Sequence, residues 1–136
     1  MGAIAMTEAK DQTLEAIAKL ISLTRDDKIR WSPISPGKLL DKYPGSKFDI
    51  VFSATYNDRV LRIYRHSYEK MISLAEAVVF QKLGPMWCSE ITMDISDNHG
   101  NSIWEFPREN IINDLYNTIK YKVSGANTFI TELLAS

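Results

Sequence analysis

The sequence predicts an α+β domain: an antiparallel β-sheet of four to five strands, packed by an N-terminal helix and a C-terminal helix or helix pair. Three observations predict it. Residues 48–66 and 87–106 alternate apolar and polar side chains with the period of two that marks a half-buried strand. Each of these stretches contains a short polar turn, the spacing of a hairpin. Toward both ends of the chain the apolar residues recur instead at i, i+3, i+4 and i+7, as on a helix with one buried stripe. Hairpins with clean alternation favour an antiparallel sheet covered by helices on one face.

The elements follow in order. "TEAKDQTLEAIAKLISLTRDD" is an amphipathic helix with Leu14, Ile17, Ala18 and Ile21 as its stripe. Glu8, Lys10, Asp11, Glu15 and Lys19 take its wet face, and it ends near Leu23. "KIRWSP" is a short strand stopped by Pro33, which has no N–H to give a ladder. "SPGKLLDKYPGS" holds two Pro-Gly breakers and is a loop with one helical turn at Leu39–Asp41. In "FDIVFSATYNDRVLRIYRH", Phe48, Ile50, Phe52, Ala54 and Tyr56 are expected on the buried face, with Asp49, Val51, Ser53 and Thr55 opposite. Asn57-Asp58 suits a two-residue hairpin turn, because both residues tolerate positive φ. The return strand sends Leu61 and Ile63 to one face and Arg62, Tyr64 and His66 to the other.

"SYEKMISLAEAVVFQKLGP" reads as a helix with Met71, Leu74, Ala75 and Val78 on its stripe and Gly84-Pro85 as its stop. "WCSEITMDIS" alternates again, with Ile91, Met93 and Ile95 inward and Glu90, Thr92 and Asp94 outward. "DNHGN" is a turn with Gly100 at positive φ. "SIWEF" returns, burying Trp104 and Phe106 and leaving Ile103 and Glu105 outward, until Pro107 ends it. On that reading Trp104→Ala costs roughly 3–5 kcal/mol as a core truncation. "RENIINDLYNTIKYKV" is a helix buried through Ile111, Ile112, Leu115, Ile119 and Val123. Either Gly125 ends it and Asn127 caps a short final helix, or it runs on, since Ala126, Ile130 and Leu133 stay in phase with Val123.

The chain's 136 residues suit one domain, 1–136, large enough to bury a core without staples. Its 45% hydrophobic and 24% charged residues exclude a disordered chain. A net charge of -1 argues against a dedicated DNA-binding domain, whose affinity comes mainly from neutralising phosphates. The one cysteine, Cys88, allows no internal disulfide and suits a reducing cytosol. It reads as a small apolar residue and not as a reactive thiol. No stretch approaches the length of a membrane span, and "MGAIAMTEAK" has neither the charged start nor the apolar core of a secretory signal. A cytoplasmic location is the expectation.

Residues with chemistry are few. Asp94, Ser96, Asn98 and Glu105 fall at positions 1, 3, 5 and 12 of a calcium-loop spacing. The glycine is one place late and the flanks alternate like strands, so a hairpin turn is the better reading. His99 could act as a base beside Asp97 or Glu105. The outward carboxylates Asp49, Glu90, Asp94 and Glu105 could share the open sheet face, where solvation alone explains them. Two histidines and one cysteine without close spacing make no zinc site. No phosphate loop, dinucleotide fingerprint or nucleophile elbow occurs, and no cofactor is called for. Arg62, Tyr64 and His66, with Arg59 and Arg65, could stack and pair with single-stranded nucleic acid. The rival is that Arg62 pairs across strands with Glu90 or Asp94. Val51, Arg62, Tyr64, His66 and Ile103 together make the candidate binding face, because aromatic, arginine and apolar neighbours are the material of interface hot spots.

"LTRDDKIRW" and "DNHGNSIWEFPRENIINDLYNTIKYKVSGANTFITELL" resemble a recurrent layout of small bacterial proteins: a helix leading to "LT…KI.W", a Tyr-containing strand, "D..G..IWEFP", then a "DLY..IKY.V" helix and an apolar tail. The resemblance covers about half the chain, and no activity is assigned to that family. It implies a bacterial cytosolic domain whose Trp31, Trp104, Phe106, Leu115 and Tyr116 build a core. The expected function is a small protein-binding adaptor, regulatory or immunity-type module without catalysis. Its protein partner and its oligomeric state are not readable from the residues. The alternatives are a nucleic-acid-binding accessory protein using the Arg62, Tyr64 and His66 face, and a small enzyme around His99.

Overall fold

Among the described residues, five strands form one open antiparallel sheet whose spatial order follows the chain, and five helices accompany it. The computed structural model describes residues 2–81 and 84–136; for residues 2–11 only the helical backbone is described. The elements are α1 (Gly2–Arg25), β1 (Ser32–Ile34), α2 (Leu39–Lys42), β2 (Lys47–Tyr56), β3 (Arg59–Lys70), α3 (Leu74–Phe80), β4 (Met86–Ser96), β5 (Ser102–Glu105), α4 (Asn110–Ser124) and α5 (Ala126–Ala135). The α+β class, the antiparallel sheet and the helices at both ends are as the alternation and the helical spacing predict.

Helices α1 and α4 lie over one face and seal the main core there. Ile17, Leu20 and Ile21 from α1 and Ile112, Leu115, Tyr116 and Ile119 from α4 meet Phe52, Ala54, Leu61, Ile63 and Met93 from the sheet. The stripe of α1 is centred on Leu20 and Thr24, so Ala18, expected inside, is exposed. A methyl group offers little area, and the larger Leu20 sets the helix phase. Glu8, Lys10 and Asp11, expected on the wet face, lie outside the described side chains. Thr24 is buried, donates to the Leu20 carbonyl at 2.7 Å and accepts from Trp31 Nε1 at 3.1 Å. That bond docks the chain leaving α1 and delivers it to β1, whose Pro33 sits on an edge strand, where a missing N–H costs no ladder.

Two turns are built as their residues demand. Asn57 and Asp58 take φ of 50° and 64°, the doubly left-handed turn that matches strand twist. Gly125 has φ of 72° and separates α4 from α5, so the two-helix ending is the observed one. The residue preceding α5 is Gly125 itself, and Asn127 lies inside that helix.

Five expectations are corrected. The alternation of β2 breaks at a bulge between Phe48 and Val51, so those two residues share the face opposite Phe52 and Ala54. Ile50 and Tyr56, expected inside, are exposed. "SYEK" continues β3 to Lys70 instead of starting a helix, pairing as far as Lys70↔Met86. Trp104 is 48% exposed, because β5 is a four-residue edge strand and the tryptophan sits at its rim beyond the main core. Val123 is likewise exposed, near the end of α4. Phe106 does pack against the core, edge-on to Trp104 at 4.7 Å between centroids.

Candidate functional site

The sequence leaves the face opposite α1 and α4 either open or covered by a terminal helix. The segment carrying α2 closes over its centre instead. Leu39 drops into a second small core with Val51 and Tyr64, and Tyr43 and Phe48 pack against them. Of the five residues proposed as a binding face, Val51, Arg62, Tyr64 and His66 are therefore buried, and Ile103 alone is exposed. The cause is non-local: a loop between β1 and β2 folds back over strands that come later in the chain.

Beneath this cover lies a dense polar cluster. Arg62, 4% exposed, donates from Nε and Nη2 to the two carboxylate oxygens of Asp94 at 2.9 and 2.8 Å. Its Nη1 donates to the Gly100 carbonyl at 3.0 Å, which ties the β4–β5 turn to the sheet. This is the cross-strand pair expected as the rival to nucleic-acid binding, with Arg62 directly opposite Asp94 in the register. Tyr43 and Tyr64 share a hydroxyl contact of 3.3 Å, and Tyr43 reaches Glu105 Oε2 at 3.5 Å. Burial, then the bond from Tyr43, pushes the Tyr64 phenol well above the usual tyrosine range. Glu105 also pairs with Lys42 at 3.3 Å and with Arg108 at 3.2 Å.

His66 sits deeper in an aromatic cage. The Tyr43 ring lies 4.3 Å from it and Phe48 stacks at 5.8 Å. Neither ring nitrogen has a hydrogen bond among the described residues, although Nε2 stands 3.3 Å from Glu90 Oε1. Arg108 takes the other oxygen of that carboxylate at 2.9 Å. Desolvation holds the His66 pKa below its ordinary value, and Glu90 opposes that only in part. Thr92, alongside, also has a buried hydroxyl without a partner. A base could stack on Tyr64 or His66 only if α2 swung away.

The turn "DNHGN" is explained by its own hydrogen bonds. Asp97 Oδ1 accepts from the backbone of His99 at 2.8 Å and of Asn101 at 2.9 Å, and Oδ2 accepts from Asn101 Nδ2 at 3.1 Å. The bonds from Asn101 lead in holding the Asp97 carboxyl below its usual range. Gly100 takes φ of 84°, as expected. His99 is exposed at the tip. Of the calcium-like spacing, Asp94 is bound to Arg62 and Glu105 to Lys42 and Arg108. Among the described residues no three metal-ligating side chains gather at one point.

The most exposed apolar surface lies elsewhere. β3 and β4 pair past the rest of the sheet and form a two-stranded ribbon with α3 in its connection. Ser73 Oγ accepts from Glu76 N at 3.1 Å and Ser73 N donates to Glu76 Oε1 at 3.2 Å, a reciprocal cap. Yet α3 buries nothing: Leu74 is 83% exposed, and Met71, Val78 and Val79 are similarly bare. The residues that the helical spacing puts on a buried stripe, Met71, Leu74, Ala75 and Val78, are all exposed. The Ser73–Glu76 cap sets the helix start, which the sequence pattern puts earlier, at "SYEK", and periodicity does not say what covers a stripe. α5 is a second case, with Phe129, Leu133 and Leu134 exposed. No helix among the described residues is long and apolar enough to cross a membrane.

A groove of about 450 Å³ runs between β4 and the start of α4, lined by Arg65, Ser89, Ile91, Arg108, Asn110 and Asn113 among others. No family model, no curated protein and no solved structure matches the chain.

Proposed function

We propose that this protein is a small protein-binding module of the adaptor, regulatory or immunity type, that it works without catalysis, and that α3 at the ribbon tip is its partner-binding element. The single observation that carries this is the bare apolar surface made by Met71, just before α3, and by Leu74, Val78 and Val79 on it, in a capped helix none of whose residues is buried among the described residues. A seven-residue helix is marginal in water by itself. Residues of this kind, contiguous and exposed, mark an interaction surface. An apolar helical stripe laid into a groove of another protein is a common recognition mode, read through anchors at i and i+4 such as Leu74 and Val78. The polar cluster under α2 serves the fold in this reading: its charges are paired and its aromatics fill space.

The test is co-purification from the native host with the wild-type chain and with Leu74→Asp/Val78→Asp. Because those side chains are exposed, the variant keeps its fold. A protein recovered in stoichiometric amount with wild type and lost with the variant supports the proposal. The same proteins with both chains, or none with either, would end it.

A further inference from the structure

We propose that two copies of this chain pair through the free edge of β4, antiparallel and about a two-fold axis at Ser89. β5 pairs with β4 only between Asp94 and Ser96, with one further bond from Phe106 N to the Met93 carbonyl at 2.8 Å. Pro107 then turns the chain away. That bond also fixes the direction of every other group on the strand. The N–H and C=O of one strand residue point to the same side, and successive residues alternate. Met93 faces outward, and no bulge interrupts the β3–β4 register down to Met86. Ile91, Ser89 and Trp87 therefore also point outward. No strand meets them among the described residues, and β4 has β5 as its only neighbour on that side.

An unpaired edge is a template for another strand, and folded proteins blunt such edges with lysines, prolines or bulges. The outward positions here are a tryptophan, a serine and an isoleucine. The charges beside the edge are engaged: Arg65 donates to Ser89 Oγ at 3.4 Å and pairs with Asp49 at 3.8 Å, and Glu90 is held by Arg108. The edge is also self-complementary in one register. Centred on Ser89, Trp87 meets Ile91 of the second copy, Ser89 meets Ser89, and Ile91 meets Trp87, so all three outward residues on each chain exchange both bonds. A centre at Cys88 would set Ile91 opposite Pro85, which has no N–H. A centre at Glu90 would set Trp87 opposite Met93, whose carbonyl Phe106 already occupies.

Side chains agree with this register. Trp87 is 48% exposed and lies on the face covered by α4 farther along, with Lys47 Nζ 4.6 Å from its ring centre. Opposite Ile91 it enters the second copy's groove beside Arg65, Asn110 and Asn113. On the other face, the residue meeting Glu90 is the small Cys88, which leaves the Arg108 ion pair in place. This edge is separate from the α3 stripe, so its failure and that of the proposed function are distinguishable.

The experiment is size-exclusion chromatography with light scattering over a concentration series. Wild type is expected at twice the 15.5 kDa chain mass. Ser89→Pro removes one outward N–H and takes nothing from the β3 pairing, so it is expected at the single-chain mass with an unchanged near-ultraviolet circular dichroism spectrum. Trp87→Ala is expected to raise the dimer dissociation constant at least tenfold, which keeps the test alive if the proline variant misfolds. A spin label at residue 89 is expected to show strong dipolar broadening between copies. A single-chain mass at every concentration would overturn the proposal. So would a dimer indifferent to both substitutions, or one lost with Leu74→Asp, which would move the contact to α3.

Discussion

Replacing Asp94 by Asn leaves the Arg62 guanidinium inside the protein without its counter-charge. Asp94 is fully buried, Arg62 is 4% exposed, and two bonds of 2.9 and 2.8 Å join them. Removing one partner of such a pair costs about 3–5 kcal/mol, most of it the penalty for the charge left behind. For a domain of this length that is a fall in melting temperature of roughly 10–20 °C. Arg62→Met strands Asp94 in the same way and is expected to cost a similar amount. The double variant Arg62→Met/Asp94→Leu strands neither charge. It is expected within about 2 kcal/mol of wild type, because a buried ion pair and a well-packed apolar pair are often close in stability. Urea unfolding followed by tryptophan fluorescence measures all four corners of the cycle, with unchanged m-values required for the comparison. If Asp94→Asn cost less than about 1 kcal/mol, Arg62 would be well solvated. The sheet face beneath α2 would then be open to ligands, and nucleic acid would regain its contact residues.

Three further outcomes are expected. His66→Phe should be neutral or stabilising, since both ring nitrogens are buried without hydrogen bonds and an apolar ring of similar shape leaves nothing unsatisfied. It should also flatten the pH dependence of stability: the depressed His66 pKa means that the unfolded chain binds the proton more readily, so wild type is fully stable above about pH 6.5 and loses stability as pH falls below it. A pH series of thermal melts on both proteins checks this, and parallel curves would refute it. Trp104→Ala should cost about 1–2 kcal/mol, below the 3–5 kcal/mol of a fully buried ring, because about half of that side chain is already in water; a loss above 3 kcal/mol by urea unfolding would show that the rim is packed. Gly125→Ala should destabilise by roughly 1 kcal/mol, since its φ of 72° is left-handed, and a neutral result would mean that α4 runs on into α5.

Local patterns in the sequence were legible where one neighbour decides the outcome. The alternation of Leu61 and Ile63 against Arg62, Tyr64 and His66 placed every one of them on the right side of β3. Asn57-Asp58 and Gly100 named their turns because left-handed backbone selects those residue types. What was not legible depended on distant chain segments. Nothing near Tyr64 says that Leu39 and Tyr43 will lie over it, so a buried aromatic cluster read as an open binding face. The bulge at residues 49–50 shifted Val51 into that cluster, and period-two reasoning has no way to insert an extra residue. Met71, Leu74 and Val78 failed in the opposite direction. Their spacing is that of a buried stripe, but nothing among the described residues buries it, and the proposed function rests on that mismatch.

The claim that α3 binds a partner is tested most directly by photocrosslinking inside the native host, with a photoreactive amino acid at Val79 and, as the control, at Ile103. Both positions are exposed and apolar, and they lie on different parts of the surface. The account predicts one dominant protein adduct from Val79, absent from Ile103 and lost with Leu74→Asp. No adduct from Val79, or the same weak ladder from both positions, would contradict it.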